Sequence, residues 1–202
     1  VEHVYTETGT YTVTMTAMDQ GGLVSDPVSH RLTITVGAIQ ACPCDPQQTA
    51  LAVGGTLADD TIVFHPGEVA GDVTVELNGV TLGTFQPTCA ILAFGQAGDD
   101  NIQVAGAIEL AAWLYGGAGN DRLKGGSGHD LLFGEEGDDL LVGGSGRDLL
   151  IGGGGADRIV GNADDDILIA GVTAFDASDA ALCAIMAEWT SSREYATRMV
   201  NL

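Results

Sequence analysis

The sequence predicts a mainly β chain built around a parallel β-roll. Three observations carry that reading. Residues 116–169 divide into six consecutive nine-residue units: GGAGNDRLK, GGSGHDLLF, GEEGDDLLV, GGSGRDLLI, GGGGADRIV and GNADDDILI. Each unit opens on Gly, carries Asp sixth and an aliphatic residue eighth, so each ends in a three-residue strand whose middle side chain points inward. Outside the repeats, period-two alternation of apolar and polar residues marks further strands, and only the last segment has helical spacing. The division expected is a partial Ig-like β segment at 1–36, a linker at 37–50, a β cap at 51–115, the roll at 116–169 and a helical segment at 170–202.

Taken in order, Tyr11, Val13, Met15 and Ala17 alternate with Thr10, Thr12, Thr14 and Thr16, the pattern of a half-buried strand. Asp-Gln-Gly-Gly at 19–22 is a turn signal, and 28–36 alternates again through Leu32, Ile34 and Val36. Residues 37–50 read as a linker because of the CPCDP cluster and a shift in composition. Residues 72–77 and 80–85 flank Asn78-Gly79, a pair suited to a type I′ hairpin turn. Residues 89–94 form a buried strand. Residues 95–103, GQAGDDNIQ, and 55–63, GTLADDTIV, keep the repeat register, with Asp100 and Asp60 at position six. The second of these lacks the inner glycine. A coil without Asp, 104–115, separates 95–103 from the regular units. After residue 169, Asp176 or Ser178 can cap a helix in which Leu182, Ile185, Met186 and Trp189 share a face. Ser191 and Glu194 have the spacing of a capping box for a second helix.

The repeat chemistry points to a cation. Glycines permit tight turns with positive φ and exposed carbonyls. A hard ion such as Ca²⁺ requires six to eight oxygens, and each turn offers both carboxylate and carbonyl. The pattern resembles that of the RTX family of secreted bacterial calcium-binding nonapeptide repeats. In that family, two units make one coil, and calcium lies between turns stacked two units apart. The resemblance implies that Asp121, Asp139 and Asp157 line one edge of the roll, and Asp130, Asp148 and Asp166 the other. Four shared sites follow, and Gly116, Gly125, Gly134, Gly143 and Gly152 are counted among the metal-site residues through the carbonyls of their turns. Asp100 extends the first edge to a fifth ion and Asp60 to a sixth. The string HVYTETGTYTVTMTAMD resembles the closing strands of a PKD-type, Ig-like domain. On that resemblance the chain begins inside a domain.

Charge narrows the function further. With 7 Lys and Arg against 28 Asp and Glu, the formal net charge is −21, which argues against nucleic acid and against an anionic membrane surface as partners. No apolar run reaches membrane-spanning length, so membrane insertion is not expected. The repeat turns concentrate this charge, so folding of the roll should depend on calcium. Four cysteines and calcium repeats together suit an extracellular, secreted or cell-surface setting. Cys42 and Cys44 are too close to bond each other, and one of them is expected to pair with Cys89. A zinc half-site at the CPC cluster is the rival reading.

No catalytic arrangement emerges. There is no His-Glu-x-x-His, GGSGH and GGSGR lack the last glycine of a nucleophile elbow, and His129 falls at a variable repeat position, as an exposed turn residue. The chain is therefore expected not to be an enzyme. Three functions are open: a calcium-dependent structural or adhesion module of a larger secreted or surface protein, an export and folding accessory of a secreted enzyme, or a self-assembling filament or matrix subunit completed by β-strand addition. Self-association and neighbouring domains are the partners expected besides calcium. One surface stands out. Positions seven and nine point outward; on one sheet they are Leu131, Phe133, Leu149, Ile151, Ile167 and Ile169, all apolar. Such a patch requires a cover, and the Leu182, Ile185, Met186 and Trp189 stripe is the nearest.

Overall fold

The computed structural model describes residues 9–15, 28–34 and 36–202. It divides into two compact units, Val1–Val36 and Gly37–Leu202. In the first, β1 (Gly9–Met15) pairs antiparallel with β2 (Val28–Ile34), Thr12 opposite Arg31. The turn expected at 19–22 and the His-x-Tyr motif lie outside the described residues.

The second unit is a flattened solenoid of two seven-stranded sheets. One sheet holds β3 (Gly37–Ala41), β4 (Thr49–Gly54), β8 (Ala90–Ala97), β10 (Ala111–Ala118), β12 (Leu131–Glu136), β14 (Leu149–Gly154) and β16 (Ile167–Ile169). The other holds β7 (Val80–Phe85), β6 (Val73–Leu77), β5 (Thr61–Pro66), β9 (Asn101–Val104), β11 (Arg122–Lys124), β13 (Leu140–Gly144) and β15 (Arg158–Asn162). Successive coils pair parallel and in register, Leu123 beside Leu141 and Leu132 beside Leu150. The eighth repeat residue points inward as its period requires: Leu123, Leu132, Leu141 and Leu150 are fully buried. Only on the last rung does this fail, where Leu168 is 50% exposed.

The boundaries differ from those expected. Residues 37–50 are not a linker. They form a hairpin in which β3 pairs antiparallel with β4, Ile39 opposite Leu51, and the CPCDP cluster is its turn. Nor is 51–115 an irregular cap. Its strands β4, β5, β8, β9 and β10 already stack parallel, so the roll runs back to Thr49. The antiparallel additions are β3 on one sheet and the β6–β7 hairpin on the other, the latter turning at Asn78 (φ 51) and Gly79 (φ 77) as that dipeptide favours.

Two apolar layers hold the unit. Inward side chains of both sheets form the first, from Leu51 and Phe64 through Leu114 to Leu150. The second lies on the outside of the first sheet, where Leu131, Phe133, Leu149 and Ile151 pack under α1 (Asp179–Trp189) through Leu182 and Met186. Each such side chain fully buried contributes about 1.5–3 kcal/mol. The helix thus covers the face whose composition demanded a cover. Ser178 is its N-cap, its Oγ accepting the Ala181 N–H at 3.3 Å, while Asp176 instead accepts the N–H and hydroxyl of Thr173.

α2 (Tyr195–Asn201) starts without the expected capping box: Glu194 is itself the N-cap, with no side-chain hydrogen bond. The N–H groups of Thr190 and Ser191 are consumed closing α1, on Met186 and Glu188 carbonyls. What anchors α2 is Arg198, a buried guanidinium. It donates to the Trp189 carbonyl (2.8 Å) and to Asp165 (3.0 Å) and lies 4.6 Å over the Trp189 ring.

Two disulfides close the unit, Cys42–Cys89 and Cys44–Cys183. Both sulfurs of the CPC cluster are used, so the zinc half-site does not form. Cys183, on α1, is the partner the spacing did not suggest. Its bond ties the covering helix to the turn between β3 and β4.

Candidate metal centre

The turns between strands build two edges. On one, position-six aspartates stack in the order Asp60, Asp100, Asp121, Asp139, Asp157. Each Oδ1 accepts the N–H of the aspartate one coil before: Asp100 from Asp60, Asp121 from Asp100 and Asp139 from Asp121, each at 2.7 Å, and Asp157 from Asp139 at 3.1 Å. On the other edge Asp130 accepts from Ala112 (2.7 Å), Asp148 from Asp130 (2.8 Å) and Asp166 from Asp148 (3.0 Å). The two sets are those the nine-residue register separates.

The second oxygen of these carboxylates decides what the edge can hold. Oδ2 of Asp100, Asp121, Asp139, Asp148 and Asp157 is buried and makes no hydrogen bond. An ionised oxygen left so is costly unless a cation or proton meets it. Asp130 and Asp60 differ. Asp130 Oδ2 accepts the Gly126 N–H at 2.8 Å. Asp60 is closed on both sides, Oδ1 by the Asn78 amide (2.6 Å) and Oδ2 by Thr56 N–H (2.5 Å) and hydroxyl (2.9 Å). A sixth ion drawing on Asp60 is therefore not supported; protein donors terminate the edge there.

Four of the orphans, those of Asp100, Asp121, Asp139 and Asp148, face a carbonyl. A Cβ placed on Gly116 would stand 2.3 Å from Asp121 Oδ2 and 2.7 Å from the Gly134 carbonyl oxygen. At Gly134 the corresponding distances are 2.2 Å to Asp139 Oδ2 and 2.4 Å to Gly152 O, and at Gly95 2.3 Å each to Asp100 Oδ2 and Gly116 O. On the other edge, Gly125 lies against Asp130 Oδ2 and Gly143 O, and Gly143 against Asp148 Oδ2 and Gly161 O. Position-one glycine is thus required for space, since carboxylate and carbonyl oxygens occupy the room of a side chain. The positive φ anticipated for the glycines falls elsewhere, at positions two and four, as at Gly117 (φ 110) and Gly137 (φ 131).

Electrostatics agree with the geometry. Burial, with neighbouring carboxylates adding to it, pushes Asp148 up to about 8, Asp100 to about 7 and Asp139 to about 6. Burial alone takes Asp130 to about 7. Asp121 and Asp166 move the same way, first by burial. Convergent carboxylate and carbonyl oxygens, without a basic side chain among them, form the donor set of a hard divalent ion.

A second ladder was not anticipated. At position five, Asp59 Oδ1 accepts the Asp99 N–H (2.9 Å), Asp99 that of Asn120 (2.7 Å), Asn120 that of Asp138 (3.0 Å) and Asp138 that of Ala156 (2.8 Å). Its signal was present in the doublets Asp59-Asp60, Asp99-Asp100, Asn120-Asp121 and Asp138-Asp139. On the other edge His129 plays this part. It is exposed, as expected, and its Nδ1 accepts the Arg147 N–H at 2.8 Å, while burial and Arg147 hold its pKa down.

Comparison with known families agrees. Residues 115–150 and 142–172 match the RTX calcium-binding nonapeptide repeat, and residues 1–31 match the PKD domain. No curated protein and no solved structure gives a match. Asp100 lies upstream of the matched repeats, yet it stands in the same column as Asp121, Asp139 and Asp157.

Proposed function

We propose that this chain, whose residues 115–172 are RTX calcium-binding repeats, is a non-catalytic, calcium-dependent structural module of a larger secreted or surface protein. The observation that carries the reading is the column of buried, unpartnered Oδ2 atoms at Asp100, Asp121, Asp139 and Asp157, each beside a glycine carbonyl or in line with those that are. These carboxylates, with the carbonyls of Gly116, Gly134 and Gly152, would hold ions along one edge. Asp148 and Asp166, with Asp130 and the carbonyls of Gly143 and Gly161, would hold them along the other. Bound calcium supplies the positive charge that offsets carboxylate repulsion; five ions would move the net charge from −21 to −11.

The chain's own residues prepare that charge. Oδ1 of each aspartate is fixed by a backbone N–H, which aims Oδ2 at the stacked turn. Metal binding and folding are then one equilibrium, because ligands on different coils meet only in the folded roll. An extracellular role, with adhesion or spacing as the task, is supported by the PKD match and by two disulfides that use all four cysteines. Among the described residues no helix is long and apolar enough to cross a membrane.

Calcium titration of the chelator-stripped chain, followed by far-ultraviolet circular dichroism, tests the reading. Strand signal should appear with midpoints at roughly 10⁻⁴ to 10⁻³ M, the range of extracellular calcium modules. An unchanged spectrum in excess chelator would remove calcium-dependent folding.

A further inference from the structure

Beside the first metal edge, one groove carries chemistry that the edge does not use. On the outer face of the β8–β10–β12 sheet the rings of Phe94, Tyr115 and Phe133 stack with centroids 5.0 and 4.9 Å apart and planes within 9° and 3°. On β4 the residue paired with Phe94 is Gly54, which adds no side chain to the stack, and Phe94 is 39% exposed. The loop leading into α1 forms the opposite wall. Between them run two lobes of about 600 and 530 Å³ that meet at Gln96, Glu135 and Asp176.

We propose that this groove binds a linear alkylamine with two primary ammonium groups. Four carboxylates, Glu135, Glu136, Asp176 and Asp179, line it, and among the described residues no Lys, Arg or His does. Asp176 is partly engaged by Thr173. The carboxylates of Glu135 and Asp179 make no hydrogen bond among the described residues. Glu135 holds φ 75 at a repeat position where the stacked residues Gly117 and Gly153 are glycines, so its side chain is kept in the groove against local preference.

The lining excludes an anionic ligand, which would meet only like charge. Carboxylates spread along an aromatic wall suit a chain with ammonium groups at its ends. Each ammonium brings three N–H donors, and the methylenes lie over Phe94 and Leu92.

Isothermal titration of 1,4-diaminobutane into the calcium-saturated full chain, at physiological ionic strength, tests this independently of calcium binding. One saturable site per chain is expected, weakened about tenfold or more by Glu135→Gln or by Asp179→Asn, as loss of a charge-assisted hydrogen bond implies. Glu68→Gln, which removes the same charge from an exposed loop outside the groove, should leave binding unchanged, and 1,4-butanediol should not bind. Circular dichroism in calcium verifies that the variants keep the fold. Equal weakening by Glu68→Gln would reveal diffuse attraction to an acidic surface. Equal binding of the diol would reveal a groove for neutral ligands. Either result overturns the proposal.

Discussion

Asp139→Asn removes one charge from the middle of the acidic column while keeping its shape. The new amide oxygen still accepts the Asp121 N–H, now held at 2.7 Å, and the amide nitrogen takes the place of the unpartnered Oδ2. Without calcium the variant should be the more stable protein. Burial first, then the carboxylates of Asp121, Asp157 and Asp138, push Asp139 up to about 6. Its ionised form is therefore penalised at neutral pH, and screening by solvent along the turn reduces the penalty to about 1 kcal/mol. With calcium the sign reverses. Asp139 stands between two stacked turns and would serve an ion on either side. An ion at a hundredfold its dissociation constant adds about 2.7 kcal/mol, so two lost sites cost about 5 and the net effect is a destabilisation of about 4 kcal/mol. Urea unfolding of both proteins, in chelator and in saturating calcium, reads the two signs directly. Equal destabilisation under both conditions would refute the reasoning and make Asp139 an ordinary turn residue.

Other outcomes follow from the same structure. Asp100, Asp130 and Asp148 have folded pKa values of about 7, 7 and 8, above those of an unfolded chain, so the calcium-free roll binds extra protons. That stability is full below about pH 4 and is lost as pH rises through about 8; melting in chelator should show a falling midpoint, and calcium affinity should rise over the same window. Gly134→Ala places a methyl 2.4 Å from the Gly152 carbonyl, whereas Gly106→Ala meets nothing within 4 Å. The first should cost about 1–3 kcal/mol and shift the calcium midpoint upward, the second neither, by denaturant and calcium titration. A chain ending at Ala174 lacks α1 and uncovers Leu131, Phe133, Leu149 and Ile151; it should bind hydrophobic dye and aggregate, and a soluble truncation without dye binding would contradict the covering role.

Much of this architecture was legible because the repeat writes it twice. The fixed Gly and Asp positions give the register, the two-unit coil sorts the aspartates onto edges, and the aliphatic eighth residue gives the core. Leu131, Phe133 and their neighbours announced a covered face by being apolar at outward positions. Other features depended on contacts that no local pattern encodes. The hairpin at 37–50 is held by pairing with β4, and the Cys44–Cys183 bond joins residues 139 apart. Arg198 looks like a surface residue until the Trp189 ring and Asp165 surround its guanidinium. The role of position-one glycine was legible only in part. Spacing reveals that a small residue is needed, but only the stacked coil reveals that the space belongs to the oxygens of Asp139 and Gly152.

The central claim is that the orphaned oxygens are calcium ligands, and anomalous diffraction from crystals grown in calcium tests it most directly. The account predicts a row of calcium peaks beside Oδ2 of Asp100, Asp121, Asp139 and Asp157 along one edge, and peaks beside Asp148 and Asp166 along the other. It predicts none at Asp60, whose oxygens are closed by Thr56 and Asn78. An anomalous map empty along both edges, with the same carboxylate oxygens hydrogen-bonded to water, would contradict it.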